Sequence, residues 1–373
     1  MNGNASEYFS NSYLEARRRF LEAAKSINAG IASYEHPNPN LKGVNGEELS
    51  VDVATVGNSN TRHALVLMSG THGVEGYCGS AIQTGLMRSR AIPKAPHIKV
   101  VLVHGLNPFG FSHHRRVNED NVDLNRNFVV DFKKPPHNDS YPKIASLLQR
   151  RPTLLTRAAL IAYIVRYGFR SLQDAVTRGQ YCYSEGLFFG GRAPSWSRVT
   201  WSTILAQRLR GSQNAIFIDY HTGLGKYGTG QILCPADPYS NAGQIARRTA
   251  FKIFGNEVKF LQTEASTQPG NREAVATPPS GDILKFTIDS RNDGSFSGIF
   301  LEFGTLGPFA VLEALMAENA ARQPPQNPLA ILNAQARLRR AFCPDDRTWQ
   351  NAVWTRALEV TSRATLSLTD DAG

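Results

Sequence analysis

The chain has 373 residues, 41% hydrophobic and 19% charged, with 41 Lys+Arg against 31 Asp+Glu for a formal net charge of +10. That length can bury a large core, and the balance excludes a disordered polyelectrolyte. The positive excess is thinly spread, so it reads as a solvated surface ahead of a cationic funnel for an anionic substrate, and no Lys/Arg cluster is dense enough for nucleic acid.

Residues 1–25 turn from polar to amphipathic, with Leu14, Phe20, Leu21 and Ala24 among charges. This is a helical pattern without the apolar core of a secretory signal. Residues 48–57 alternate through Leu49, Val51, Val53 and Thr55, as a half-buried strand does. The apolar run His63–Met68 reads as a buried strand leading into Ser69-Gly70-Thr71-His72-Gly73-Val74-Glu75, and helical spacing follows over 74–88 through Ile82 and Leu86. Residues 98–103 form another buried strand, closed by His104-Gly105-Leu106-Asn107-Pro108. Residues 215–220 and 298–303 are two more, ending near His221 and Glu302. Strands alternating with helices predict an α/β fold: a mixed, mostly parallel twisted sheet with helices on both faces. Its ligand site is expected beyond the strands' carboxyl ends.

Three divisions are expected: an N-terminal helical segment at 1–45, a catalytic unit at 46–322 with a largely helical insertion at 129–212, and C-terminal helices at 323–373. Pro135-Pro136 opens the insertion, and residues 141–169 read as helix. The loop 186–196 carries Phe188, Phe189 and Trp196 beside Gly190-Gly191, and either lines a pocket rim or docks the insertion onto the sheet. From Pro308 onward helices are interrupted at Gln323-Pro324-Pro325 and Pro344, and the residues past about Leu366 are expected to be disordered. Cys78, Cys182, Cys234 and Cys343 are far apart with no C-x-x-C pair, so reduced structural thiols are expected. No apolar run approaches the roughly 20 residues of a membrane span. The chain is expected in the cytoplasm, with neither membrane nor nucleic acid as partner.

His72 and Glu75 lie three apart on a strand-to-helix turn, from which both can reach one ion. Alone, H-x-x-E is more often a surface pair. His221 adds weight, because it follows a buried strand and precedes Thr-Gly, where packing gives no reason for a histidine. Two histidines and a carboxylate are a donor set of catalytic zinc with an open position, and suit zinc better than calcium or copper. Glu302 sits in an apolar strand between Leu301 and Phe303, where a charge needs a partner or a function. It is the candidate general base. The block from Arg116 to Phe128 gathers two arginines, several amides and Asp123. Asn125 and Arg126 could grip a carboxylate, and Arg116 could stabilise an oxyanion. No G-x-S-x-G elbow occurs, which argues against a serine hydrolase.

His72-Gly73-Val74-Glu75, Asn107-Pro108-x-Gly110, the Arg116 to Phe128 block, His221 and Glu302 occur in the order of the zinc carboxypeptidase A superfamily, which the chain resembles over about residues 45–315. Gly70-Thr71-His72-Gly73-Val74-Glu75-Gly76, Gly186-Leu187-Phe188-Phe189-Gly190-Gly191 and Leu301-Glu302-Phe303-Gly304-Thr305 most resemble a bacterial branch catalogued as a domain of unknown function. The resemblance implies one zinc ion on His72, Glu75 and His221, and Glu302 as base. It also implies a substrate carboxylate on Asn125 and Arg126, and Arg116 polarising the carbonyl. The digestive members' pocket tyrosine has no clear counterpart; Tyr227 and Tyr239 fall in the right interval, and 278–282 is a candidate specificity loop. The expected activity is hydrolysis of an amide beside a free carboxylate in a peptide or modified peptide. N-acyl amino acid deacylation, as in aspartoacylase and desuccinylase relatives, is the alternative, and a non-catalytic binding protein is the alternative of another class.

Overall fold

The computed structural model describes residues 4–58, 60–92, 96–261, 279–290 and 295–370. Eight strands form one sheet: β1 (Gly30–Glu35), β2 (Ser50–Val56), β3 (His63–Met68), β4 (Ile98–His104), β5 (Asn214–Thr222), β6 (Gly230–Cys234), β7 (Val258–Phe260) and β8 (Ser295–Phe303). Their order is β1-β2-β4-β3-β5-β8-β6-β7. The central run β4-β3-β5-β8 is parallel, and antiparallel pairs join β1 to β2, β2 to β4 and β6 to β8. The sheet is thus mixed and mostly parallel, as the apolar runs predicted.

Period-2 alternation divides the strands between two cores. Leu65 and Leu67 of β3, with Ile216, Ile218 and Tyr220 of β5, face one layer. Helices α1 (Tyr13–Ser26) and α2 (Gly76–Arg88) cover it with Phe20 and Ile82. The chain then runs through α3 (Pro108–Ser112), α4 (Ala145–Leu148), α5 (Leu154–Tyr167), α6 (Phe169–Thr177), α7 (Trp196–Arg208), α8 (Asn241–Phe254), α9 (Ile283–Asp289), α10 (Pro308–Ala321), α11 (Pro328–Phe342) and α12 (Arg347–Asp370). Of these, α8 and α12 add Ala250 and Val353 to the first layer. On the opposite face Ala64, Val66, Met68 and Phe217 pack against Trp201 and Ile204 of α7 and Leu284 of α9. Helix α1 begins as its sequence dictates: Ser12 caps Glu15 N, while the Glu15 carboxylate reaches back to Asn11 N.

A third apolar cluster lies over the carboxyl ends of the strands. It joins Tyr141, Leu160, Leu172 and Phe188 to Val311, Leu315 and Phe342 of α10 and α11. The insertion therefore sits above the sheet edge where ligands bind in open α/β folds.

Some expectations change. β1, β6 and β7 carry weak patterns; β1 is largely exposed, so its side chains have no reason to alternate. Helix α12 continues to Asp370, against the expectation of disorder after about Leu366. Val360, Ala364 and Leu368 keep the i, i+4 apolar spacing and are buried in the first layer. All four cysteines are free, but Cys182 is exposed, unlike the buried other three.

Candidate metal centre

Three adjacent parallel strands deliver the cluster. β3 ends at Met68, and the turn after it carries His72 and Glu75 into α2. That turn is pressed onto the Asn107–Gly110 backbone: a Cβ on Gly73 would stand 2.1 Å from the Gly110 carbonyl carbon, so only glycine fits. β5 ends with His221, which lies in register with Glu302 on β8. The crossover from β3 leads to β4 on one side, while β5 lies on the other. The cluster thus stands at a topological switch point.

One donor atom each from His72, Glu75 and His221 lies within 4.8 Å of the others, and all three residues are buried. His72 Nδ1 is 3.0 Å from Glu75 Oε1, and His221 Nδ1 is 3.3 Å from Glu75 Oε2. The opposite ring nitrogens meet carboxylates: His72 Nε2 lies 3.1 Å from Asp123 Oδ1 and His221 Nε2 lies 2.8 Å from Asp219 Oδ2. Those carboxylates favour a proton on each Nε2 and turn each Nδ1 lone pair toward Glu75. Among the described residues His72 Nδ1 makes no hydrogen bond in spite of its short approach. Two imidazole nitrogens facing a buried carboxylate call for positive charge between them, as protons on the rings or as a metal ion. The imidazole–carboxylate pairing is also the outer support found around metal-bound histidines. The residues fit zinc.

Arg116 closes one side. Its Nη1 donates to Glu75 Oε1 at 2.8 Å and its Nε to Asp123 Oδ2 at 3.1 Å. Its Nη2 lies 2.8 Å from His72 Nε2. With the proton on Nε2, this is an approach of two donors around the shared Asp123; the other His72 tautomer would accept from Arg116. Burial alone would raise the pKa of Glu75, but His72, His221 and Arg116 overcome it and hold the group below the carboxylate range. Asp123 is likewise held low against its burial, mainly by Arg116 and Arg126.

Glu302 is buried and accepts from Leu224 N at 2.9 Å. Burial, then the negative charge of Glu75, pushes its carboxyl up to about 7, well placed to exchange a proton near neutrality.

Asn125 Oδ1 accepts from Ile283 N at 3.0 Å, so its amide nitrogen is left for other partners. Arg126 is buried and gives Nη1 to Asn125 O, while its Nε has no hydrogen-bond partner among the described residues. The insertion clamps it. Tyr181 Oη donates to Arg126 O at 2.7 Å, and Gly179, at φ +83°, lies so close that a Cβ would stand 2.5 Å from Arg126 Cδ.

His72, Glu75, His221, Glu302, Arg116, Asn125 and Arg126 all border one cavity of about 280 Å³. Most of its other lining is apolar, including Leu172 and Val176 of α6, Phe188, Leu233, Phe300, and Leu312 and Leu315 of α10. Phe188 of the loop 186–196 lines the cavity and Trp196 packs on the second sheet layer, while Phe189 O accepts from Asp123 N and Gly190 O from Asn127 Nδ2 of the Arg116–Phe128 block. Pro279 of the candidate specificity loop also borders the cavity; Pro278 lies outside the described residues. Neither tyrosine candidate does: Tyr227 donates to Asp346 Oδ2 at 2.7 Å, and Tyr239 is exposed.

Sequence reading passed over Asp219 and Asp123 as site residues. Asp219 had a signal, because residues i and i+2 of a strand share a face and Asp-x-His therefore aims both at one place. Asp123 had none, standing 51 positions from the histidine it supports. The apolar wall from α10 was equally invisible.

No curated protein matches the chain. Among solved structures it is similar to carboxypeptidase A from Helicoverpa armigera, at 14% identity over 88% of this chain and 73% of that one, with a TM-score of 0.46. It is also similar to the succinylglutamate desuccinylase from Chromobacterium violaceum, at 14% identity over 88% and 74%, TM-score 0.37. An aspartoacylase family protein from Mesorhizobium loti matches at 15% identity over 78% and 66%, TM-score 0.35. Superpositions this loose carry no argument about activity, which rests on the site itself. Among the described residues no helix is long and apolar enough to cross a membrane. The family model described as "Protein of unknown function (DUF2817)" matches residues 9–356, and so the chain, glycine-pressed turn and aromatic loop included, belongs to that family.

Proposed function

We propose that the protein is a zinc-dependent hydrolase of an amide bond beside a free carboxylate, acting on a peptide or modified peptide. The observation that carries this reading is the convergence of His72 Nδ1, His221 Nδ1 and Glu75, with Asp123 and Asp219 behind the two imidazoles. Zinc on His72, Glu75 and His221 would supply Lewis acidity toward a carbonyl and toward water. Glu302 takes the proton of the attacking water and returns it to the leaving nitrogen, work suited to a carboxyl held near neutrality. Arg116, at the cavity wall beside Glu75, offers guanidinium charge to the developing oxyanion. The Arg126 guanidinium and the Asn125 amide, both bordering the cavity, bind the substrate carboxylate.

A second reading, deacylation of a small N-acyl amino acid, draws on the cavity's limited volume and its cover by α6 and Phe188. One experiment tests both. Metal content and amine release are measured on the same sample, with free-carboxylate peptides, their C-terminal amides and N-acyl amino acids as substrates. Chelator-sensitive, zinc-restored cleavage of the free peptides supports the first reading, and cleavage confined to acylated amino acids supports the second. Equal rates on free and amidated termini would remove the carboxylate role from Arg126. No zinc-dependent cleavage of any substrate would leave a non-catalytic binding protein.

A further inference from the structure

Helix α5 shows solvent an apolar face. Leu154 is 81% exposed, Leu155 84%, Ile161 59% and Val165 82%. At about 100° per residue these four, with Ala158 and Ala162, fill an arc of about 120°, opposite the buried Thr156, Leu160 and Tyr163. Soluble monomers rarely leave such a face bare. The charges that this segment itself carries are of one sign. Residues 140–173 contain Lys143, Arg150, Arg151, Arg157, Arg166 and Arg170 and no acidic residue. Arg157 and Arg166 flank the apolar arc on its two sides; Arg157 is paired with Glu313, and Arg166 stacks on Tyr167. Arg150 and Arg151 stand exposed just before the helix.

We propose that this face of α5 docks on an anionic lipid surface. Apolar side chains within a basic rim are what an in-plane interfacial helix needs, with alkyl groups entering the headgroup boundary and guanidinium groups meeting lipid phosphates. Charge selects the occupant. A second copy of the chain, related by a two-fold axis, would set this basic rim against itself. The face continues toward the cavity: Phe169, half exposed at the start of α6, is part of the cavity wall. Docking brings the cavity mouth to headgroup level. The sequence reading expected no membrane partner, because it looked for a span and a signal, and an interfacial helix is neither.

The test is sedimentation of the full chain with phosphatidylglycerol/phosphatidylcholine vesicles and with phosphatidylcholine alone. A Val165→Trp variant reports insertion by a blue shift of its emission. Binding is expected to anionic vesicles only, to weaken with salt, and to fall about tenfold in Ile161→Ser/Val165→Ser and in Arg150→Glu/Arg151→Glu. These positions are exposed, so the fold should survive, and circular dichroism confirms it. Failure to sediment, or undiminished sedimentation of the serine variant, overturns the proposal. So does a wild-type dimer that the serine variant converts to monomer. None of these readouts depends on catalysis, so they stand or fall apart from the hydrolase reading.

Discussion

Replacing Asp219 by asparagine isolates the support of one imidazole. The Asp219 side chain is buried, and its Oδ2 is shared by His221 Nε2 and Thr71 Oγ1, each at 2.8 Å. Asparagine keeps a carbonyl oxygen for the histidine and nearly the same volume, so what disappears is the charge. A hydrogen bond to a charged group contributes about 1.5–3 kcal/mol and a neutral one about 0.5–1.5. The difference, on the order of 1.4 kcal/mol, is a tenfold change in an equilibrium constant. Zinc affinity, read by competition against a chromophoric chelator, should therefore fall about tenfold in Asp219→Asn. Asp219 is also ion-paired with His221 at 2.8 Å, so its loss costs the metal-free fold as well, and the affinity is read on samples whose circular dichroism shows them folded. An affinity within twofold of wild type would refute the support assigned to Asp219.

Three further outcomes are expected. Glu302→Gln can keep the bond from Leu224 N and the zinc content but should lose about a thousandfold in turnover; turnover within tenfold of wild type would remove Glu302 as the base. Asp282 caps α9 by accepting from Lys285 N, and burial pushes it up to about 7. The folded chain then holds a proton that the unfolded chain has released between about pH 4 and 7, so this group lowers stability as pH rises through that window. Asp282→Asn keeps the cap and should be more stable than wild type at pH 8 by on the order of 4 kcal/mol; denaturation curves that differ by the same amount at pH 4 and pH 8 would contradict this. Val176→Trp should fill part of the cavity, raising KM for bulky substrates while zinc stoichiometry stays at one, and an unchanged KM would place substrate elsewhere.

The sequence made the sheet centre legible because β3, β4, β5 and β8 are buried on both faces and write unbroken apolar runs. His72, His221 and Glu302 were legible for a related reason: each interrupts or ends such a run, where a charged or ionisable residue has no packing role. The edge strands escaped because exposure removes the pattern, as in β1. Asp123 escaped because its meaning lies in a contact that only the closed fold creates. The shape of the cavity was hidden in the same way. Leu172 and Leu312 each read as ordinary amphipathic-helix positions, and only their meeting in the third apolar cluster makes them a wall.

That division has a physical consequence for how chemistry and selection are built into this chain. The proposed metal ligands hang from the ends of β3 and β5 and the proposed base from β8, adjacent strands whose ends cannot shift without breaking the sheet's central ladder. The walls come instead from α6, the loop 186–196 and α10, held to each other by apolar contacts above that ladder. Arg126 stands between the two. Its charge faces Asp123 within the rigid set, yet its stem lies against Gly179 and its carbonyl is held by Tyr181, both in the insertion. Changes in residues 129–212 can therefore move the carboxylate grip proposed for Arg126 and reshape the cavity while the imidazoles and Glu75 stay fixed. The proposed metal chemistry would then be directed at different substrates by segments that the sheet does not constrain.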